Sequence, residues 1–217
     1  MAYRAAIFDL DGTLLNTLED LHASVNHTLA LHGMPIRSRD EIRSFLGNGM
    51  QALIHLSCPE GTASELEDRV LAEFKDYYAL HGADHTAPYD GIVELLDVLS
   101  GEGIRRAVVS NKGDFAVQAL VEKYFPGIFD AVVGERQDVR RKPAPDTVNA
   151  VMRELELAPK DVVYIGDSEV DIDTARNAGI DCLSVSWGFR SRRELTASGA
   201  TTIVDDINDL AEALLLY

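Results

Sequence analysis

The stretch AAIFDLDGT, residues 5–13, joins a short apolar run to two acids and a glycine. Near-continuous apolar runs of this length are typical of parallel strands that are buried on both faces. In extended backbone, residues two positions apart point the same way, so Asp9 and Asp11 share one side of the chain. Gly12 allows a sharp turn after them. We therefore expect a strand that ends in two crowded carboxylates, which repel each other unless a cation or a shared proton intervenes.

Similar apolar runs recur along the chain, and segments with helical spacing separate them. The further runs are residues 106–110, 131–134, 162–166 and 182–186. Strands that alternate with helices predict an α/β fold, namely a doubly wound parallel sheet with a Rossmann-like core. Ligands of such sheets bind beyond the carboxyl ends of the strands, so the residues after each run are candidate site residues.

Residues 17–80 interrupt this alternation with helix-period apolar patterns and no convincing strand. They predict an all-helical insertion, which we interpret as a cap. The predicted domains are a core of residues 1–14 and 86–217 and a cap of residues 15–85. Within the cap, residues 47–52 fit a G-x-G-x-x-A dinucleotide fingerprint. We reject that match because the fingerprint requires a preceding strand, whereas the pattern before it is helical.

The composition excludes several classes of partner. Twenty Lys and Arg stand against 36 Asp and Glu, for a formal charge of −16. This charge repels nucleic acid and anionic membrane surfaces, so neither is an expected partner. A small phosphorylated substrate would need concentrated positive charge from a metal, a lysine or a helix N-terminus. Two cysteines, with no leader and no long apolar stretch, predict a cytoplasmic protein with reduced thiols, whereas the oligomeric state has no signal in the sequence.

Polar residues follow the second apolar run and recur before a later helical pattern. Ser110, Asn111 and Lys112 lie at the end of the run at 106–110, and we expect a helix to follow them whose first N–H groups could bind an anion. The alternative is a plain helix N-cap. Lys142 ends a basic cluster and lies beside two prolines, which restrict its backbone and could aim its side chain.

Two further acids follow the run at 162–166. Asp167 comes at the end of that run, and Asp171 lies about one helical turn later. Their spacing suits a shared cation. The alternative for Asp9 and Asp11 is a plain acidic turn, and the other motifs favour a functional site over it.

Together these segments resemble the haloacid dehalogenase superfamily of hydrolases. The resemblance is carried by Asp-x-Asp-Gly-Thr at 9–13, Ser110, Lys142 and Gly-Asp-x-x-x-Asp at 166–171. It covers nearly the whole chain, and the helical insertion looks like the small helical cap of that superfamily. The layout is most similar to that of the phosphoglycolate phosphatases and their near relatives.

The resemblance implies a Mg²⁺-dependent phosphatase that hydrolyses a small phosphomonoester such as 2-phosphoglycolate through an aspartyl phosphate. Asp9 would be the nucleophile and Asp11 the general acid and base. Mg²⁺ would be held by Asp9, the backbone carbonyl of Asp11 and Asp167, with Asp171 supporting the metal or a water. The residues expected to bind the phosphoryl oxygens are Ser110, Asn111 and Lys142.

Substrate specificity is expected to come from a glycine-rich turn of the cap. The residues that the resemblance implies there are Arg43, Gly47, Asn48 and Gly49. Asp11 favours phosphoryl transfer, because haloacid dehalogenases lack a leaving-group acid at that position. A β-phosphoglucomutase-like mutase would need a second phosphate site, and basic residues are scarce in the cap. Pyrophosphatase or nucleotidase activity on the same site and a non-catalytic regulatory module remain alternatives.

Overall fold

Strands and helices alternate through most of the computed structural model, which describes residues 3–215. In chain order the elements are β1 (Ala5–Phe8), β2 (Leu15–Asn16), α1 (Leu18–Leu31), α2 (Arg39–Phe45), α3 (Gly49–Ser57), α4 (Ser64–His81), β3 (Ala87–Pro88), α5 (Ile92–Gly101), β4 (Arg105–Gly113), α6 (Asp114–Tyr124), β5 (Ala131–Glu135), α7 (Asp146–Glu154), β6 (Val162–Gly166), α8 (Glu169–Ala178), β7 (Asp181–Val185), α9 (Arg192–Ala197), β8 (Ile203–Val204) and α10 (Ile207–Leu215).

The central sheet has six parallel strands in the order β5-β4-β1-β6-β7-β8. From β1 the chain builds outward through β4 and β5, and then returns to the other side of β1 with β6. This reversal of direction confirms the predicted doubly wound fold. Every residue of β1 is buried, as expected for a strand with neighbours on both sides. The edge strand β8 was not predicted, because two residues carry no readable periodicity.

Apolar residues at helical spacing cover the sheet. Val148 and Val151 of α7 are buried in one cluster with Ile7 of β1, Val109 of β4 and Tyr164 of β6. Full burial of one large apolar side chain contributes about 1.5–3 kcal/mol, so this layer stabilises the strands that carry the predicted site residues. No helix within residues 3–215 is both long and apolar enough to cross a membrane.

Contacts divide the chain into two compact units. The first unit ends at Leu15 and resumes at Pro88, and the second is Asn16–Ala87. The connecting strands β2 and β3 pair as a two-stranded sheet. The second unit contains α1 to α4, and α1 packs on α4, where the rings of His27 and Tyr77 stack with centroids 3.8 Å apart. The assignment of the two units to a catalytic core and a cap stays a prediction.

A buried carboxylate organises the end of the second unit. Asp20, in the first turn of α1, accepts the backbone N–H groups of His85 and Thr86 at 3.0 and 2.8 Å and the Thr86 hydroxyl at 2.7 Å. Burial alone would raise the pKa of Asp20, but these hydrogen bonds outweigh it and lower the pKa below its usual value. Asp20 therefore ties α1 to the segment that precedes β3.

Candidate active site

The carboxyl ends of three adjacent strands carry several of the predicted site residues. Asp9 follows β1, and its backbone N–H donates to the carbonyl of Ile165 in β6 at 2.9 Å. Asp167 follows β6 directly. Ser110 lies in β4, two residues beyond Val108, which is the last residue of β4 that pairs with β1. The sheet register thus brings residues from distant parts of the chain to one edge.

Lys142 is buried between two of the predicted acids. Its Nζ lies 3.0 Å from Asp9 Oδ2 and 2.7 Å from Asp171 Oδ1, and only 2% of its side chain is exposed. It also donates to the Tyr164 hydroxyl at 3.0 Å, which in turn donates to the Val109 carbonyl. Burial alone would lower the pKa of Lys142, but Asp171 and Asp9 outweigh it and raise the pKa well above that of free lysine. The ammonium charge is therefore held beside Asp9.

Both oxygens of Asp171 have partners inside the first unit. Oδ1 accepts from Lys142, and Oδ2 accepts the backbone N–H and the hydroxyl of Ser168 at 3.1 and 2.7 Å. A Cβ added to Gly166 would collide with the Asp171 carboxyl group, so glycine is needed there. Asp171 thus orients Lys142 and caps α8, while its predicted support of a metal or a water stays a prediction.

Asp9 and Asp167 are carboxyl groups whose burial disfavours the ionised form. Burial raises the pKa of Asp9 to about 7; Lys142 opposes the shift, and Asp171 and Asp11 add to it. Burial, with Asp171 and Asp9, also raises the pKa of Asp167 well above its usual value. Asp167 Oδ2 accepts the Phe189 N–H at 2.6 Å, and Oδ1 accepts the Thr13 hydroxyl at 3.3 Å. A divalent cation would relieve this crowding of acids.

The donor set fits a hard cation. Asp9, Asp167 and Asp171 each offer a carboxylate oxygen, and these atoms lie within 4.8 Å of one another. No other grouping of three His, Cys, Asp or Glu residues with such geometry occurs within the described part of the chain. Oxygen donors alone suit Mg²⁺ better than softer metals.

Two glycines allow the loops around Asp167 to approach one another. Gly12 has a φ of +82°, and a Cβ added there would collide with the Asp167 carboxylate. A Cβ added to Gly188 would collide with the Gly12 carbonyl oxygen and with Asp167 itself. The loop that carries Gly188 and Phe189 was not predicted to belong to the site, because neither residue has a side chain that signals chemistry.

Lys112 pairs with Asp11, and this contact was also missed. Its Nζ donates to Asp11 Oδ1 and Oδ2 at 2.9 and 3.1 Å, and 2% of the Lys112 side chain is exposed against 18% for Asp11. The helix expected after Ser110, Asn111 and Lys112 is α6, which begins at Asp114, but β4 continues to Gly113, so neither Ser110 nor Asn111 is its N-cap. The signal available in the sequence is the two-residue spacing from Ser110, which in a strand puts both side chains on one side.

Ser110 and Asn111 have different partners. Ser110 Oγ accepts the backbone N–H of Lys112 at 3.2 Å. Asn111 Nδ2 donates to the backbone carbonyl of Lys142 at 3.0 Å, so Asn111 positions the segment of Lys142. The predicted contacts of Ser110, Asn111 and Lys142 with phosphoryl oxygens stay predictions.

Comparison with known proteins decides the family. The model of the haloacid dehalogenase-like hydrolase family matches residues 6–185. The chain belongs to this family. Phosphoglycolate phosphatase 1 of Pseudomonas aeruginosa is 30% identical to it over 213 residues, which cover 95% of this chain and 78% of that protein. Phosphoglycolate phosphatase of Thiobacillus denitrificans is 30% identical over 218 residues, which cover 98% and 95%.

A crystal structure shows the same similarity. A candidate phosphoglycolate phosphatase of Lactobacillus delbrueckii subsp. bulgaricus is 40% identical, with a TM-score of 0.94 over 99% of each chain. These matches confirm the resemblance that the four motifs carry, and they confirm that the chain is a hydrolase.

The predicted specificity residues of this haloacid dehalogenase-like hydrolase lie around one turn of the second unit. Arg43 belongs to α2, and Gly47 and Asn48 lie between α2 and α3. Gly49 begins α3 rather than lying in the loop, as its position in the glycine-rich turn had suggested. Gly47 and Gly49 have φ angles of +114° and +79°, which explains the choice of glycine. Their role in specificity stays a prediction.

Proposed function

We propose that this chain is a Mg²⁺-dependent phosphatase that hydrolyses a small phosphomonoester, with 2-phosphoglycolate as the first candidate, through an aspartyl phosphate on Asp9. The observation that carries the proposal is the position of Asp9, whose carboxylate is held between the ammonium of Lys142 and the acid cluster at the end of β6. The names of the two curated relatives support the substrate.

In the first step, a carboxylate oxygen of Asp9 attacks phosphorus while the bond to the ester oxygen breaks. The Leu10 N–H donates to Asp9 Oδ1 at 2.7 Å and fixes the orientation of the carboxylate. Asp11 delivers a proton to the departing ester oxygen, so the leaving group departs as an alcohol. Lys142 and Ser110 bind the phosphoryl oxygens and offset the negative charge of the transition state.

In the second step, water attacks the phosphorus of the aspartyl phosphate. Asp11, now ionised, accepts a proton from that water, and the bond between phosphorus and the Asp9 oxygen breaks. Inorganic phosphate leaves, and Asp9 returns to its carboxylate form. The alternating roles of Asp11 restore its protonated state after each cycle.

Asp9, Asp167 and the backbone carbonyl of Asp11 are the groups that would hold Mg²⁺. When bound, the ion neutralises charge on the phosphoryl oxygens. The chain's own contribution is to keep the acids close together in a buried position, where Thr13 and the Phe189 N–H orient Asp167.

Substitution of Asp9 tests the proposal. We expect Asp9→Asn to lower phosphate release from 2-phosphoglycolate by at least about 10³-fold, because the amide is a poor nucleophile. Asp173→Asn, an exposed change on α8, should leave the rate unchanged. Circular dichroism establishes that both variants fold. Full activity of Asp9→Asn with Mg²⁺ present, or a phosphoryl label mapped to another residue by mass spectrometry, would contradict the proposal.

A substrate panel separates this proposal from the other activities open to the same site. The panel contains 2-phosphoglycolate, pyrophosphate, nucleoside monophosphates and sugar phosphates, and the measured quantity is kcat/KM for each. We expect 2-phosphoglycolate to have the highest value. A sugar phosphate that is isomerised rather than hydrolysed would indicate a mutase, and no turnover of any ester would indicate a binding module.

A further inference from the structure

We propose that Lys112 selects substrates whose leaving group carries a carboxylate next to the ester carbon. The inference rests on the proposed function, because it uses the role of Asp11 as the acid that protonates the ester oxygen. It assigns a determinant of specificity to β4 in the first unit, whereas the sequence predicted specificity residues only at Arg43 and in the glycine-rich turn at residues 47–49.

The distances place Lys112 on the leaving-group side of the site. A general acid lies within about 2.6–3.2 Å of the atom that it protonates. Lys112 Nζ is 2.9 Å from Asp11 Oδ1, so the ammonium and the ester oxygen are both close neighbours of one carboxyl group. A carboxylate joined to that oxygen through a single methylene therefore reaches the vicinity of Nζ. An ammonium group carries three N–H donors, so it can donate to the Asp11 carboxyl group and to a substrate carboxylate.

The two buried lysines have different surroundings. Lys142 is enclosed by Asp9, Asp171 and Tyr164, all of which are buried. Lys112 pairs with Asp11. The side chain of Asp11 is more exposed than those of the other three motif acids, which are Asp9, Asp167 and Asp171. Lys112 is as buried as Lys142, with 2% of each side chain exposed, but its partner Asp11 is more accessible, so a leaving group would approach from the side of Asp11.

The negative charge of the protein makes a buried lysine useful for binding a substrate carboxylate. A substrate carboxylate entering a protein with a formal charge of −16 is repelled, and a partly buried anion without a partner is costly. Lys112 would supply that partner. A leaving group without charge gains nothing from it, so the lysine favours one substrate class over another.

Neighbouring residues hold the backbone of Lys112 in place. Its N–H donates to Ser110 Oγ, and a Cβ added to Gly134 of β5 would lie 2.7 Å from the Lys112 carbonyl oxygen. Gly134 N–H also donates to Asp114 Oδ1 at 2.8 Å. The close approach of β5 therefore fixes the end of β4 that carries the lysine.

The test compares two substrates that differ in the carboxylate alone. Ethyl phosphate has a methyl group where 2-phosphoglycolate has its carboxylate. We expect Lys112→Met to lower the ratio of kcat/KM for 2-phosphoglycolate to that for ethyl phosphate by about 10- to 100-fold, as expected for loss of a charged hydrogen bond. The change should lie mainly in KM. Lys112→Arg should retain most of the ratio, and Lys160→Met, an exposed change in the same unit, should retain all of it.

A measurement on the unmodified enzyme covers the case in which Lys112→Met does not fold. Glycolate should inhibit the hydrolysis of ethyl phosphate at least about tenfold more strongly than glycolamide, which has the same shape without the charge. Equal inhibition by the two compounds would overturn the proposal.

Two further outcomes would also overturn it and can be told apart. If Lys112→Met lowers kcat equally for both substrates, the lysine acts only through Asp11. If the unmodified enzyme hydrolyses neither substrate with Mg²⁺ present, the proposed function fails first and the specificity of Lys112 fails with it.

Discussion

The side-chain amide of Asn111 donates a hydrogen bond of 3.0 Å to the backbone carbonyl of Lys142. This bond joins the end of β4 to a loop 31 residues further along the chain, and both residues are buried. The loop contains the cis peptide bond between Lys142 and Pro143. The position of the Lys142 ammonium beside Asp9 therefore depends on a residue that carries no charge.

Removal of this amide should displace Lys142. We expect Asn111→Ala to lower kcat/KM by about tenfold or more and the free energy of unfolding by about 1–3 kcal/mol, since a buried carbonyl loses its donor. Asn177→Ala is the matched control: Asn177 donates to the Pro143 carbonyl at 2.8 Å, but from an exposed position. Steady-state kinetics and thermal unfolding compare the two. Equal effects would mean that burial of the Asn111 bond has no special importance.

Gly188 should be indispensable to the acid cluster. A methyl group at this position would push against Asp167 and the Gly12 carbonyl, so Gly188→Ala should weaken Mg²⁺ binding by more than about tenfold and lower the melting temperature. Calorimetric titration with Mg²⁺ measures the affinity. Gly101→Ala, at the end of α5 where an added Cβ meets nothing within 4 Å, should change neither quantity. Unchanged Mg²⁺ affinity in Gly188→Ala would show that the loop yields without moving Asp167.

The raised pKa values of Asp9 and Asp167 predict how pH acts on the metal-free protein. With a pKa of about 7 in place of 3.8, folded Asp9 keeps a proton that the unfolded chain releases. Stability without metal should therefore fall as the pH rises from about 4 to about 7. Lys142, Asp171 and Asp11 face Asp9 and set the size of the effect.

Binding of Mg²⁺ must displace these protons, so the affinity for Mg²⁺ should rise over the same range. Thermal unfolding at several pH values, with a chelator and with saturating Mg²⁺, measures how stability depends on pH without and with the metal. Titration calorimetry in buffers of different ionisation enthalpy counts the released protons. An affinity independent of pH would mean that the carboxyl groups are already ionised without metal.

Asp20 should contribute strongly to the stability of the second unit. Asp20→Ala leaves the backbone N–H groups of His85 and Thr86 without their acceptor, and we expect a loss of about 2–4 kcal/mol in the free energy of unfolding. Asp76→Ala, an exposed change on α4, should cost almost nothing. Because the pKa of folded Asp20 is lowered, its contribution should be present above the usual carboxyl pKa and disappear as the pH falls through the lowered value. Urea unfolding at neutral and acidic pH measures both effects.

Much of the core could be predicted because its strands are nearly uniform apolar runs. The runs at residues 5–10 and 162–166 became β1 and β6, and the doubly wound rule then placed Asp9 and Asp167 at one edge. The strands β2, β3 and β8 escaped prediction because each has two residues and no periodicity.

The contacts around the site residues could not be predicted from the sequence. Lys112 reaches an acid 101 residues away, and the sequence carries no sign of a pairing at that distance. Ser and Asn commonly precede a helix, so the sequence predicted that the strand ends at Ser110. In the structure β4 pairs with β5 as far as Gly113, and Lys112 belongs to the strand. The role of Gly188 depends on which loop passes beside Asp167, and only the three-dimensional arrangement specifies that.

The pairing of β2 with β3 has a consequence for how this protein can be rebuilt. The chain leaves the first unit at Leu15 and re-enters it at Pro88, and the strands at these two positions, β2 and β3, are paired. Residues 16–87 are therefore one continuous insertion whose two ends are neighbours. Segments inserted in this way can be exchanged between homologues without rerouting the host sheet. Chimeras joined at these two strands would therefore inherit the acids and lysines of one parent together with the helices of another.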